Sequence, residues 1–145
     1  MSQLAWVLLA IGIFMLGQFM MMRPSAREAS LMHLRESARK RGLQPRLVSA
    51  PSWLKQDHPR MVACYTLIIP SALMPYWRAE RIDGRLRTVS PGLDRLAGLE
   101  LPAAADLLLA IEAQANAVSF YWQEEAAEDV LDEIKALLQA LAAKN

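Results

Sequence analysis

The chain has 145 residues, 16 Lys and Arg against 15 Asp and Glu, a formal net charge of +1, and 54% hydrophobic residues. One cysteine, Cys64, excludes an intrachain disulfide, and nothing in the sequence resembles an RNA- or DNA-binding module, so no nucleic-acid partner is expected. Near neutrality hides an asymmetry: residues 23–60 carry a net +6, residues 61–100 a net +1, and residues 101–145 a net −6.

Leu4 to Met22 is uncharged, with Gln18 its one strongly polar side chain. At about 1.5 Å per residue it makes a helix of roughly 28 Å, the thickness of a bilayer's hydrocarbon layer. A signal peptide needs a basic stretch before its apolar core and small residues at the cut site. Here Met-Ser-Gln precedes the run and Met-Met-Met-Arg-Pro follows it. Residues 1–22 therefore read as a transmembrane anchor. Arg23, Arg27, Arg35, Arg39, Lys40 and Arg41 all follow it, so the amino terminus is expected outside and the remainder in the cytoplasm. Arg23, Arg27, Arg39, Lys40 and Arg41 are the candidate membrane-interface residues, and the lipid bilayer is the first expected partner.

Residues 23–43 form a basic juxtamembrane segment. Pro24 should end the first helix, and Ser25 with Glu28 forms a capping box for a second, Ala26 to Arg41. Leu31, Leu34 and Ala38 share a stripe on it, and Gly42 supplies the left-handed cap. The stripe is thin and lacks the Trp or Phe of strongly interfacial helices, so the helix is expected to pack on its own domain.

Residues 44–145 read as a cytoplasmic domain. Pro45 to Ala50 is a short strand. Met61 to Ile69, almost wholly apolar, is a central strand buried on both faces. Asp83-Gly84 marks a type I′ hairpin that pairs Ile82 with Arg85 and sets Glu80 against Arg87 as a surface ion pair. Pro102 opens a predicted helix to about Gln114. Ala117 to Gln123 is a strand, in which at least one of Phe120, Tyr121 and Trp122 should stay partly exposed. A last helix is predicted from about Glu125 to Ala143, with Val130, Ile134, Leu137, Leu138 and Leu141 facing the core. The fold class is α+β: a transmembrane helix, a basic helix, then a small, mostly antiparallel sheet of about five strands packed with two helices.

No catalytic signature is present. Asp57-His58 are sequence neighbours on a loop rather than a triad, and His33 has no Cys or His beside it for a metal. Cys64 sits in an apolar run and reads as an inert thiol. No cofactor is expected. The aromatic and arginine-rich run Tyr76, Trp77, Arg78, Arg81, Arg85 and Arg87 is the candidate surface for a protein partner, and a homo-oligomer is left open.

"RPSAREASLMHLRESARKRGLQPRL" after an apolar helix, with "YWRAERIDGRLRTV" later, resembles uncharacterised single-pass inner-membrane proteins of proteobacteria. The first thirty or so residues also resemble the small accessory subunit of the Sec preprotein translocase, where a transmembrane helix likewise ends in an Arg-Pro pair before a charged stretch. That family's Gly-Asp-Glu-Val-Val and Gly-Gly segments are absent. The expected function is a membrane-anchored accessory or scaffold protein that presents its domain to a protein partner. The alternatives are a membrane-bound enzyme acting on a lipid or envelope precursor, and a module that senses anionic lipid.

Overall fold

The computed structural model describes residues 2–23, 25–55, 57–89 and 94–143. Pro24, the predicted helix breaker, and Pro91 and Gly92 of the loop after the hairpin lie outside the described residues. The chain divides into two compact units, Met1–His33 and Leu34–Asn145.

In the first unit, helix α1 (Gln3–Met21) has 19 residues, none of them buried. An 18-residue stretch of it has a mean hydropathy of 2.1, and by length and composition the helix is able to cross a bilayer, as is a signal sequence. Helix α2 (Ala26–Lys40) begins with the expected reciprocal cap. The Ser25 N–H donates to Glu28 Oε2 and the Glu28 N–H donates to Ser25 Oγ, each at 3.2 Å.

In the second unit, the C-terminal part of α2 buries Leu34, Ser37 and Ala38. Gly42 follows at φ 82, a conformation that costs glycine little. The chain then forms six strands: β1 (Leu43–Ser49), β2 (Met61–Ile68), β3 (Met74–Ile82), β4 (Arg85–Thr88), β5 (Leu108–Ala115) and β6 (Ala117–Trp122). They pair antiparallel in the order β1-β2-β6-β5-β3-β4. Helix α3 (Val130–Ala143) packs one face of the sheet. Its Leu131, Ile134, Leu137, Leu138 and Leu141 join Leu34 and Ala38 of α2 over Tyr65, Phe120, Trp122, Ile111 and Trp77. Fully burying each aliphatic side chain contributes about 1.5–3 kcal/mol. The opposite face is covered in part by the loop between β1 and β2, whose Trp53 and Leu54 pack on Val62, Cys64, Leu109 and Tyr121.

The α+β class and the mostly antiparallel sheet agree with the sequence pattern, as do the interior position of β2 and the Ile82↔Arg85 hairpin register. Four details differ. The predicted helix from Pro102 is a short 3-10 turn (Ala103–Leu107) followed by β5, which gives six strands. Its Ala, Leu and Glu favour helix locally, but Ala110 and Ala113 pack inside the sheet, and tertiary pairing overrides propensity. Helix α3 starts at Val130 rather than about Glu125: the chain turns at Glu124, which takes φ 57, and residues 125–129 form a bend and a turn ahead of the helix. Glu80 and Arg87 are register partners, yet Glu80 is 0% exposed and no ion pair forms between them. Finally, Phe120, Tyr121 and Trp122 are all buried, because both sheet faces are covered where they lie.

Candidate partner-binding surface

Alternation along β3 and β4 sorts the arginine-rich hairpin onto two faces. Trp77, Ala79 and Leu86 turn toward the helices and enter the main core. Arg78, Glu80, Arg85 and Arg87 turn to the opposite, more open face.

On that face the hydrogen bonds determine which charges remain free. Arg78 is the register partner of Glu112, and Arg87 of Glu80. Each carboxylate is held by a different donor. The Tyr121 hydroxyl donates to Glu112 Oε2 at 2.8 Å, and the Lys55 backbone N–H donates to Glu80 Oε2 at 3.1 Å. Arg78 instead lies over the Trp53 ring, 5.0 Å from its centroid, and Trp53 meets Tyr121 edge-on at 6.1 Å. Arg78 Nε and Glu80 Oε1 are buried without a hydrogen-bond partner among the described residues. Arg85 and Arg87 are exposed. Burial and the bond to Glu112 push the Tyr121 phenol up, so it stays a neutral donor. Burial likewise raises the Cys64 thiol, which disfavours the reactive thiolate.

The six candidate partner residues therefore do not form one patch. Tyr76 is 43% exposed, Arg85 and Arg87 are exposed, and Arg78 is half-buried. Trp77 is 3% exposed and belongs to the core, so its ring is not available to a partner. Arg81 donates from its guanidinium to the Ala105 carbonyl at 3.1 Å on the other side of the sheet. The sequence pattern set Glu80 against Arg87 and left Tyr121 as a ring that could be exposed, but it did not bring Trp53, Glu112 and Tyr121 together around Arg78. The alternation of Ser119 and Tyr121 against Phe120 and Trp122 was the available signal for Tyr121.

The candidate membrane-interface residues also differ among themselves. Arg23, Arg27, Arg39 and Lys40 are exposed. Arg39 makes a surface ion pair with Glu36 at 3.4 Å, of small energetic weight. Arg41 is committed within the domain: it donates to Asp132 Oδ1 at 2.8 Å and to Ser37. That bond holds the Asp132 carboxyl below its ordinary range and raises the Arg41 guanidinium. A second clamp lies more deeply. Arg35 binds both oxygens of Glu124 at 2.8 and 2.7 Å, and the Tyr65 hydroxyl donates to Glu124 Oε2 at 2.6 Å. The bond to Glu124 raises the Arg35 guanidinium, while burial, reinforced by Glu124, pushes the Tyr65 phenol up.

A groove of about 460 Å³ lies between the β2–β3 connection and the end of α3, and a cleft of about 220 Å³ sets Arg81 near Asp57, Asp106 and Glu125. Among the described residues no group of three or more His, Cys, Asp or Glu is placed to hold a metal ion. His58 Nδ1 lies 3.0 Å from its neighbouring Pro59 carbonyl, on the exposed loop. In comparisons with protein-family models, curated proteins and solved structures, none matches this chain.

Proposed function

We propose that the chain is a membrane-anchored accessory or scaffold protein, in which α1 spans the bacterial inner membrane and the α+β unit offers its open sheet face to a protein partner in the cytoplasm. The observation that carries this reading is α1 itself, 19 residues with none buried. An apolar helix exposed on every side is stable in lipid and a liability in water. The arginines and lysine behind it favour retention of the domain on the cytoplasmic side. Arg78, Arg85, Arg87 and Tyr76 supply the residue types that favour protein contacts.

Photo-crosslinking in intact cells tests the reading, with a benzophenone amino acid in place of Tyr76, an exposed position. The full-length chain should fractionate with membranes, and the probe should capture a single protein in stoichiometric yield. Recovery in the soluble fraction without detergent, or no crosslink from positions 76, 85 and 87, would overturn it.

A further inference from the structure

Strand β4 ends the sheet, so among the described residues no strand lies on its outer side. The two-residue Asp83-Gly84 turn, with φ 52 and 77, makes Ile82↔Arg85 a hydrogen-bonded pair, and Arg87↔Glu80 is the next. The Val89 N–H donating to the Arg78 carbonyl at 3.1 Å continues the same phase. Leu86 and Thr88 therefore turn their main-chain N–H and C=O groups outward, away from β3. The alternate side chains of the strand, Arg85 and Arg87, stand exposed on the open face without an ion pair among the described residues. The nearest carboxylate in the register, Glu80, is buried and bonded to Lys55 N–H.

We infer that the β4 edge is a docking site for an extended acidic segment of a partner protein, which adds as a further strand beside Leu86 and Thr88 and sets carboxylates at alternate positions against Arg85 and Arg87. This rests on the partner-binding reading above and names the chemistry of the partner. Charge complementarity selects the occupant. A second copy of this chain pairing through β4 would bring arginines against arginines, which disfavours self-association at this edge. An anionic bilayer satisfies the guanidinium groups but offers no ordered row of main-chain donors and acceptors. An acidic strand satisfies both: backbone bonds give affinity, and the alternate side chains give specificity.

The test uses the full chain in nanodiscs of neutral lipid and a short blocked peptide that alternates Glu and Val. Binding is read by fluorescence anisotropy and by amide hydrogen exchange. The peptide is expected to bind, to weaken with added salt, and to slow exchange at Leu86 and Thr88. Arg85→Ala and Arg87→Ala should each weaken binding about tenfold. A matched Lys-Val peptide should not bind. Both substitutions lie at exposed positions, and unchanged exchange protection in β2 and β6 verifies that the variants are folded.

Absence of peptide binding overturns the inference, as does binding without protection at Leu86 and Thr88. So do arginine-dependent binding of phosphatidylglycerol vesicles in place of the peptide, and concentration-dependent self-association protecting the same amides. A crosslinked protein partner at position 76 that is indifferent to Arg85→Ala and Arg87→Ala would leave the scaffold reading intact and remove this one.

Discussion

Glu124 illustrates how one residue can hold a junction together. Its backbone takes φ 57, an uncommon conformation for a side-chain-bearing residue, and its carboxylate accepts from Arg35 and Tyr65 at the exit from β6. The Glu124 side chain is 5% exposed and that of Arg35 is 33% exposed, so solvent weakens the pair only in part. Glu124→Gln is expected to lower stability by about 2–3 kcal/mol, and Tyr65→Phe by about 1 kcal/mol, in urea unfolding of the full chain in mild detergent. A Glu124→Gln midpoint equal to that of the parent would show the clamp to be dispensable. Ala115 tests backbone strain in isolation, because it holds φ 54 beside the β5–β6 turn and is exposed. Ala115→Gly should stabilise by about 0.5–1 kcal/mol, since left-handed backbone is disfavoured for residues with a Cβ. Gly84→Ala, at φ 77 with nothing within 4 Å of the added methyl, should destabilise by about 1 kcal/mol. Thermal midpoints of the two variants should move in opposite directions.

At the level of elements, the contact between Arg41, just past the end of α2, and Asp132 of α3 carries a pH dependence with a definite sign. Asp132 is held below its ordinary carboxylate range by Arg41, so the folded state favours its charged form. Its contribution is present above the unfolded carboxylate value, near 4, and is lost as pH falls through the lower folded value. Between roughly pH 5 and pH 2 the parent should therefore lose more stability than Asp132→Asn, and the two curves should converge at the acid end. Parallel curves in urea melts across that range would show that the pair does not couple to folding. The same elements show what the sequence could and could not reveal. The capping box, Gly42, the Asp83-Gly84 turn and the β2 run were legible, because each rests on local geometry or on a period too plain to mistake. The β5 strand was not, since Ala, Leu and Glu at 103–112 satisfy helix preferences and only pairing with β3 and β6 makes them a strand. At the candidate surface, the arginines were visible in the sequence. That Glu80 and Glu112 would be bonded to Lys55 and Tyr121, leaving Arg87 and Arg78 without a carboxylate among the described residues, depends on contacts from the loop carrying Lys55 and from β6.

Across the whole molecule, the charge asymmetry of the chain has two destinations. Within the folded unit, Arg35 and Arg41 meet Glu124 and Asp132, so part of the basic segment is neutralised by the acidic end. Arg23, Arg27, Arg39 and Lys40 remain exposed. In the proposed anchor it is the count of Lys and Arg beside the apolar helix that sets orientation, largely regardless of Asp and Glu. Later pairing inside the domain therefore does not cancel the effect of Arg35 or Arg41 during insertion. The parent is expected to resist protease added to spheroplasts and to be digested once the membrane is opened. Replacing Arg23, Arg27, Arg39 and Lys40 with Gln while inserting lysines ahead of Gln3 should invert a large fraction of the molecules, making the domain accessible from outside. These changes spare both internal clamps, so the domain keeps its Arg35–Glu124 and Arg41–Asp132 contacts in either orientation. If the altered chain stays protected like the parent, flanking charge does not decide where the domain lies, and the cytoplasmic assignment loses its physical basis.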